Sequence, residues 1–169
     1  MLCWKKCLLK QTTDLMEIKR INKQETGLVT DLFNKYRIFY KQPSDLVTAK
    51  KFIRSRIDNN ESEIFVALAS INDRKLPVGF TQLYPAYSSV RAIKYWILND
   101  LYVEADHRKK GIGEALIKTA IEFAKKDGAM IVELSTAVDN YTAQHLYENI
   151  GFKKQKTDDG FFTYQFTLS

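Results

Sequence analysis

The sequence predicts one α/β domain in which helices cover both faces of a mixed sheet. Strand-like and helix-like segments follow in the order β-α-α-β-β-β-α-β-α-β-β, which is typical of layered α/β folds. The chain has 169 residues, a length that suits one domain with a real hydrophobic core. We find no internal repeat and no low-complexity tract that would divide it.

The N-terminal half begins with one strand and two helices. Residues 16–21 alternate like a strand, and residues 25–41 carry apolar side chains at helical spacing until Pro43 ends the helix. Ser44 or Asp45 caps the second helix. Its expected inward-facing side chains are Val47, Phe52, Ile53 and Ile57.

Three strand-like runs follow the two helices. They cover residues 62–70, 77–87 and 92–103. Turn-forming residues separate them at 72–75 and 88–91.

The C-terminal half adds two helices, one interior strand and a hairpin. The first helix leaves the loop at 108–113 and ends at about Asp127. Residues 130–136 form a short, nearly continuous apolar run, which is typical of an interior strand. A helix over 140–150 and a hairpin turning at residues 158–160 complete the chain.

Residues 1–15 precede the first predicted strand. Residues 1–15 are expected to be a poorly ordered extension, which leaves 16–169 as the domain. They contain both cysteines, Cys3 and Cys7, far from any histidine, so we expect no metal site and no disulfide framework. No apolar run approaches the ~18 residues that span a membrane, and the start lacks the pattern of a secretory signal. The predicted protein is cytoplasmic, without a membrane partner.

The formal net charge is +6, which permits a nucleic-acid-binding module as one class of function. However, basic residues are interspersed with acidic ones, and the aromatic residues follow strand patterns. This distribution favours a solvated surface or a site for a small polyanion, with no nucleic-acid partner. Binding to DNA that falls steeply with salt would support the alternative.

The stretch RKKGIG runs three cations into two glycines where a helix begins. Unpaired N–H groups and the helix dipole attract anions at such a position, and glycine lets the backbone approach them closely. The pattern is neither a Walker loop nor a dinucleotide fingerprint, since Leu116 occupies the third glycine position. The alternative is a surface loop with a tight turn. Residues expected to bind a pyrophosphate are Arg108, Lys109, Lys110, Gly111, Ile112, Gly113 and Glu114.

Two segments, LNDLYVEADHRKKGIGEAL and NYTAQHLYENIGF, together resemble the GNAT superfamily of N-acetyltransferases. The first contains the R-x-x-G-x-G loop that holds the pyrophosphate of acetyl-coenzyme A in that family. The second has the N-x-x-A-x-x-L-Y-x-x-x-G-F signature, in which Asn140 and Ala143 are implied to contact the cofactor. These motifs cover 98–113 and 140–152, whereas the order of elements agrees over 16–168.

The resemblance implies a fold and a reaction. The fold is a mostly antiparallel sheet of about seven strands whose central strands splay apart. The reaction transfers an acetyl group from acetyl-coenzyme A to a primary amine by direct attack in a ternary complex. The acceptor is a small-molecule amine or a protein lysine, and the enzyme is a homodimer. A member that binds the cofactor without catalysis is the further alternative.

Individual roles follow from the resemblance. The main chains of Leu101 and Val103 pair with the pantetheine arm, and the amide near Tyr102 or Val103 polarises the acetyl carbonyl. Tyr147 matches the tyrosine that faces the sulfur, where a phenol of ordinary pKa about 10 is a suitable partner for a thiolate. Without the motif, we would interpret Tyr147 as a helix tyrosine that packs on the core.

Asp100 is the candidate for the acceptor side, because a carboxylate is out of place in the apolar strand WILNDLYV. It would attract an ammonium group and take a proton directly or through water, with a structural aspartate as the alternative. Strand alternation places it on the same face as Tyr102. Candidate walls of the amine pocket, each with core packing as its alternative, are Tyr36, Tyr40 and Tyr84.

Within the superfamily, LNDLYV is similar to the LEDIYV of the spermidine/spermine and diamine acetyltransferases. Asn99 replaces a glutamate that those enzymes use for amine binding or deprotonation. His107 and His145 are expected to be exposed and without a role.

Overall fold

The computed structural model describes residues 16–155 and 161–168, except for the side chain of Phe161. Within these ranges the order of elements agrees with the prediction. The strands are β1 Met16–Arg20, β2 Glu63–Ile71, β3 Arg74–Ser88, β4 Ile93–Val103, β5 Ile131–Ala137, β6 Lys153–Lys154 and β7 Phe161–Thr167. The helices are α1 Gly27–Phe39, α2 Leu46–Asp58, α3 Ile112–Lys126 and α4 Tyr141–Ile150. The predicted extension at 1–15, with both cysteines, and the turn at 158–160 lie outside the described residues.

The strands form one sheet in the order β1-β2-β3-β4-β5-β7-β6. Among the described strands, β4 and β5 pair in parallel and every other neighbouring pair is antiparallel. The parallel junction arises because α3 carries the chain across the sheet between these two strands. The predicted fold class, a mostly antiparallel seven-stranded sheet with helices on both faces, is confirmed.

Helices α1 and α2 cover one face of the sheet. Asp45 caps α2 by accepting a hydrogen bond from the Thr48 amide at 2.9 Å, as the sequence predicted. Two of the predicted inward side chains are exposed, Val47 at 80% and Phe52 at 36%, although the Phe52 ring stacks on Phe33. Val47 precedes Ile53 by six helical residues, which turns its side chain about 120° away from the buried stripe. The core of this face is formed by Ile21, Val29, Leu32, Phe33, Ala49, Ile53, Ile57, Ile64, Val66, Leu68 and Phe80.

Helices α3 and α4 contribute to the core on the other face. The buried stripe of α3 includes Leu116, Ile117 and Ala120, which pack with residues of β2 to β5. Glycines with positive φ follow both helices, Gly128 at +75° and Gly151 at +112°. Left-handed backbone at these positions ends a helix cleanly and costs glycine little.

Two features of β4 position the site. First, its pairing with β5 covers only three residue pairs in the described chain, the last being Ile97 with Glu133, and beyond them the strands diverge. Second, the register between β3 and β4 shifts after Leu98, so that Asn99 is an extra residue before Asp100 pairs with Gln82. The predicted splaying of the central strands is therefore present, and a bulge lies beside it.

Candidate active site

A cleft of about 770 Å³ occupies the opening between the diverging strands. The end of β4, residues of β5 and α4, and the start of α3 all line it. The C-terminal end of α1 contributes aromatic side chains to the lining. The lining residues are Tyr36, Phe39, Tyr40, Leu98, Asn99, Leu101, Tyr102, Val103, His107, Arg108, Lys109, Gly111, Ile112, Gly113, Glu114, Ser135, Thr136, Ala137, Asp139, Asn140, Thr142, Ala143, Leu146 and Tyr147.

The start of α3 provides an anion-binding end. Gly111 is the N-cap with φ of +78° and has no side chain to satisfy the first amides of the helix. The amides of Ile112, Gly113 and Glu114 belong to that first turn and lack intrahelical partners by geometry. Since all four residues line the cleft, their N–H groups and the positive end of the helix dipole favour a phosphate there.

The three cations of the loop have different positions. Lys109 lines the cleft, whereas Lys110 does not. Arg108 donates from Nε to the carbonyl of Val103 at 2.9 Å, and its guanidinium lies 5.7 Å from the ring centroid of Phe39 and 5.8 Å from that of Tyr102. The arginine therefore links the loop to the aromatic end of α1.

Backbone groups at the end of β4 face alternate sides. The amide of Glu104 donates to Val78 of β3, and Gly79 approaches the Tyr102 carbonyl so closely that a Cβ would lie 2.9 Å from it. Tyr102 and Glu104 therefore point their backbone groups toward β3. By alternation, those of Leu101 and Val103 point toward the cleft. This direction favours Val103 over Tyr102 as the source of the polarising amide.

Tyr147 of α4 is 7% exposed and borders the cleft. Its ring packs against Phe152 and Tyr164, with centroids 6.0 and 5.8 Å away. Its hydroxyl forms no hydrogen bond with another residue that the structure describes. Burial raises the pKa of Tyr147 to about 12, with smaller contributions from Tyr40 and Tyr164. The phenol is thus a neutral hydrogen-bond donor at physiological pH.

Asp100 is buried beside residues that line the cleft. It is 4% exposed and does not line the cavity. Burial raises the pKa of its carboxyl group, while hydrogen bonds from Tyr36 and Asn99 partly oppose this. The Asn99 amide donates to its Oδ1 at 3.1 Å. Asn99 and Tyr36, which both line the cleft, are neighbours of Asp100.

Tyr36, Tyr40 and Tyr84 take three different positions. Tyr36 and Tyr40 line the cleft with ring centroids 5.0 Å apart. Tyr84 does not line it, but it lies close enough to Asp100 for the negative charge of Asp100 to contribute to raising the pKa of Tyr84. Burial raises the pKa of Tyr84 to about 12, and burial together with Asp100 raises that of Tyr36.

Most of the predicted cofactor residues therefore meet in one cleft, including Asn140 and Ala143. The side chain of Asn140 also caps α4, because its Oδ1 accepts the Ala143 amide at 3.2 Å. His107, expected to be exposed, is half-buried in the cleft wall because a 3₁₀ turn at Ala105–His107 folds it inward. The β5 residues Ser135, Thr136 and Ala137 were not predicted, since only the pairing of β5 reveals the opening.

The described part of the chain has no group of three or more His, Cys, Asp or Glu side chains placed to hold a metal ion. Across the same residues, no helix is long and apolar enough to cross a membrane.

Comparisons with known proteins agree with this geometry. Residues 28–152 match the model of the acetyltransferase (GNAT) family. The uncharacterized N-acetyltransferase YhfO of Bacillus subtilis is 39% identical over 88% of this chain and 95% of its own. A crystal structure of a probable acetyltransferase superposes with a TM-score of 0.77 at 37% identity, covering 85% of this chain and 93% of that one.

The fold extends to more distant structures. The PaiA N-acetyltransferase from Thermoplasma acidophilum, crystallised with coenzyme A, has a TM-score of 0.64 at 18% identity over 90% of this chain and 99% of its own. At that identity, the likeness concerns the fold alone.

A splayed mixed sheet with an anion-binding helix start defines a coenzyme A-dependent acyltransferase class, and the chain belongs to the acetyltransferase (GNAT) family. It is an acetyl-coenzyme A-dependent N-acetyltransferase whose acceptor is unknown.

Proposed function

We propose that this cleft transfers the acetyl group directly to a primary amine held beside Asp100. The observation that supports this is that the required groups meet at one cavity. The first-turn residues of α3, Tyr147, Tyr36 and Asn99 all line it, and Asp100 lies next to Asn99. Binding, thiolate protonation and amine deprotonation each have a suitable group there.

The pyrophosphate of coenzyme A binds the first turn of α3, assisted by Lys109. The backbone of Leu101 and Val103 pairs with the pantetheine arm in the gap that β5 leaves. The Val103 amide donates to the acetyl oxygen as negative charge develops on it during attack. Tyr147 donates its proton to the departing thiolate and recovers one from the new amide nitrogen.

The acceptor is a cationic amine from a small molecule or a protein lysine. The buried acid Asp100 and the aromatic side chains of α1 suit an ammonium group, since aromatic faces also attract cations. The similarity of LNDLYV to diamine acetyltransferases supports a diamine as the first compound to examine. Asn99 lines the cleft where those enzymes carry a glutamate, so recognition of a second amine would need another group.

A cytoplasmic homodimer without a nucleic-acid partner completes the proposal, supported by the family resemblance and by the mixed-sign surface. Sedimentation of the purified protein measures the oligomeric state.

An amine panel tests the acceptor. The protein is incubated with acetyl-coenzyme A and with diamines, polyamines, amino-acid amines and lysine peptides, and release of free thiol is followed. Saturable, amine-dependent thiol release supports the proposal. If no amine causes thiol release and the protein binds DNA with an affinity that falls steeply with salt, the proposal is contradicted and the nucleic-acid-binding alternative is favoured.

Asp100→Asn keeps the shape of the side chain and removes its charge. We expect kcat/KM for a cationic acceptor to fall about tenfold or more, or roughly 1.4 kcal/mol. A neutral amine analogue should lose less, and coenzyme A affinity should barely change. Equal losses for charged and neutral acceptors would show that Asp100 is not the ammonium partner.

Stability separates this role from a structural one. Because burial raises the folded-state pKa of Asp100 above its unfolded value, its contribution to stability is fully present below the unfolded pKa and is lost as pH rises through the folded pKa. An asparagine at position 100 does not ionise and therefore does not lose this stability as pH rises. The Asp100→Asn variant should be at least as stable as the parent at neutral pH. Melting curves at neutral and acid pH measure this, and unfolding of the variant would indicate a structural aspartate.

A further inference from the structure

Helix α1 is joined to the end of β4 by an ion pair between side chains for which no role was predicted. Lys35 Nζ lies 2.6 Å from Glu104 Oε1, and its second partner is Asp31 of its own helix at 2.9 Å. Lys35 and Glu104 are 69 residues apart in the chain, so tertiary structure brings them together. Hydrogen bonds to Glu104 and Asp31 raise the pKa of Lys35, which keeps its amine charged at physiological pH.

Glu104 is held in place on the β4 side of this pair. Its amide donates to the carbonyl of Val78 in β3 at 2.9 Å, and the Tyr102 hydroxyl lies 3.4 Å from its Oε2. Its side chain is 24% exposed. Because Glu104 directly follows Val103, its carboxylate connects α1 to the strand end that carries the proposed donor to the acetyl oxygen.

Arg108 makes a second contact between the same strand end and α1. Its Nε donates to the Val103 carbonyl, and its guanidinium lies over the rings of Phe39 and Tyr102. Lys35 and Phe39 are four residues apart, which places them on one face of α1 in successive turns. We call these contacts the α1–β4 bridge, which consists of Lys35, Phe39, Tyr102, Glu104 and Arg108.

The α1 residues beside the bridge line the cleft. The ring centroid of Tyr40 lies 5.0 Å from that of Tyr36 and 5.2 Å from that of Phe39, and all three residues line the cavity. Phe39 and Tyr40 are 60% and 59% exposed, and α1 ends between them. Core packing and helix continuation therefore do little to fix these two rings, and their position relative to β4 depends on the bridge.

We propose that Glu104 is a positioning residue for the acceptor amine. By holding Lys35, its carboxylate keeps the last turn of α1 at the distance from β4 at which an acceptor contacts both. Glu104 does not line the cleft, so it acts through Tyr36, Phe39 and Tyr40 and not on the reacting atoms. The inference rests on the proposed function, because it assumes that the acceptor packs on these aromatic side chains.

An ion pair of this kind ordinarily has a small effect on stability alone. Exposed pairs contribute little because salt screening and side-chain entropy oppose them. The two roles predict different measurements. A stability role lowers the melting temperature and leaves acceptor binding unchanged, whereas a positioning role raises the KM of the acceptor and leaves coenzyme A affinity unchanged.

Kinetics with a matched pair of amines test the proposal. Phenethylamine and ethylamine share the reactive end and differ in the phenyl ring that would pack on α1. In Glu104→Gln and in Lys35→Met, the KM for phenethylamine should rise about fivefold, the upper range for an exposed ion pair, with kcat nearly unchanged. The KM for ethylamine should change less, and calorimetry should show unchanged coenzyme A affinity. An unchanged KM for phenethylamine, or an equal rise for both amines, would overturn the proposal.

The double variant that combines Lys35→Met with Glu104→Gln tests whether the two residues act as a pair. Both single changes remove the same contact, so the double variant should lose no more than either one. Losses that add would show that the residues act independently, against the proposal. Lys75→Met is the matched control, since Lys75 pairs with Glu17 at 2.5 Å between β3 and β1, away from the cleft lining. Its KM values should equal those of the parent.

Hydrogen exchange provides a test without turnover. The amides of Tyr40 and Lys41 donate to the carbonyls of Tyr36 and Ile38 at the end of α1. In Glu104→Gln they should exchange about fivefold faster than in the parent, because the last turn opens more often. Unchanged exchange would contradict the positioning role. If the parent acetylates neither amine, the proposed acceptor class is wrong, and the exchange rates still decide whether Glu104 holds α1.

Discussion

Replacing Tyr147 with phenylalanine is expected to lower kcat about 10²–10⁴-fold, the range for loss of a general acid. The phenol is buried at the cleft, remains protonated at physiological pH, and forms no hydrogen bond with another described residue that would occupy it. The ring contacts with Phe152 and Tyr164 stay in place in the variant. Coenzyme A affinity should therefore be nearly unchanged, as calorimetry can show, while stopped-flow thiol release measures the chemical step.

Tyr141→Phe is the control for this change. Tyr141 starts the same helix, but its side chain is exposed and does not line the cleft, so its activity should equal that of the parent. A loss of only a few-fold in Tyr147→Phe, with chemistry shown to limit the rate, would assign Tyr147 a packing role.

Gly113→Val is expected to weaken coenzyme A binding about 10–100-fold, in line with the ~1–3 kcal/mol that overpacking costs. A Cβ at Gly113 would lie 3.7 Å from Leu146 and 4.0 Å from Leu101, both of which line the cleft. The fold tolerates that methyl position, but the branches of valine would reduce the space beside the first-turn amides of α3. Gly113→Ala should give a smaller loss, and calorimetry with coenzyme A measures both.

Gly27→Val is a suitable control because Gly27 also lies in the first turn of a helix and has no atom near its Cβ position. Its coenzyme A affinity should equal that of the parent. Unchanged affinity in a folded Gly113→Val variant would show that the pyrophosphate binds elsewhere.

The sequence predicts the elements of this fold well because their ends carry local signals. The Asp45 cap and the glycines at 128 and 151 act within a few residues of the boundary that they set. The apolar run of β5 likewise reflects burial, since Val132, Leu134 and Thr136 on one face of the strand are all buried. The sequence pattern did not predict the exposure of Val47, because two neighbouring stripes along the short helix α2 both contain apolar residues.

The site was less predictable where it depends on register. The extra residue Asn99 leaves no mark in the alternation of WILNDLYV, yet it sets which residue of β3 pairs with Asp100. The pattern identified the carboxylate but could not show that it is buried near Tyr36 and opposite Gln82. The splaying of β4 and β5 was predicted from the family resemblance alone, because no local propensity encodes a gap between strands.

The short junction between β4 and β5 has a mechanical consequence. Three residue pairs join a four-stranded half of the sheet to a half formed by β5, β7 and β6, so this seam has less main-chain bonding to resist separation than any junction within the four-stranded half. Hydrogen exchange at the seam should therefore be faster than within β2 and β3. A pantetheine arm that forms hydrogen bonds to both β4 and β5 would connect the two halves of the sheet. At a coenzyme A concentration of about 100 Kd, it would add roughly 2.7 kcal/mol of stability, with the largest gain in exchange protection at the seam.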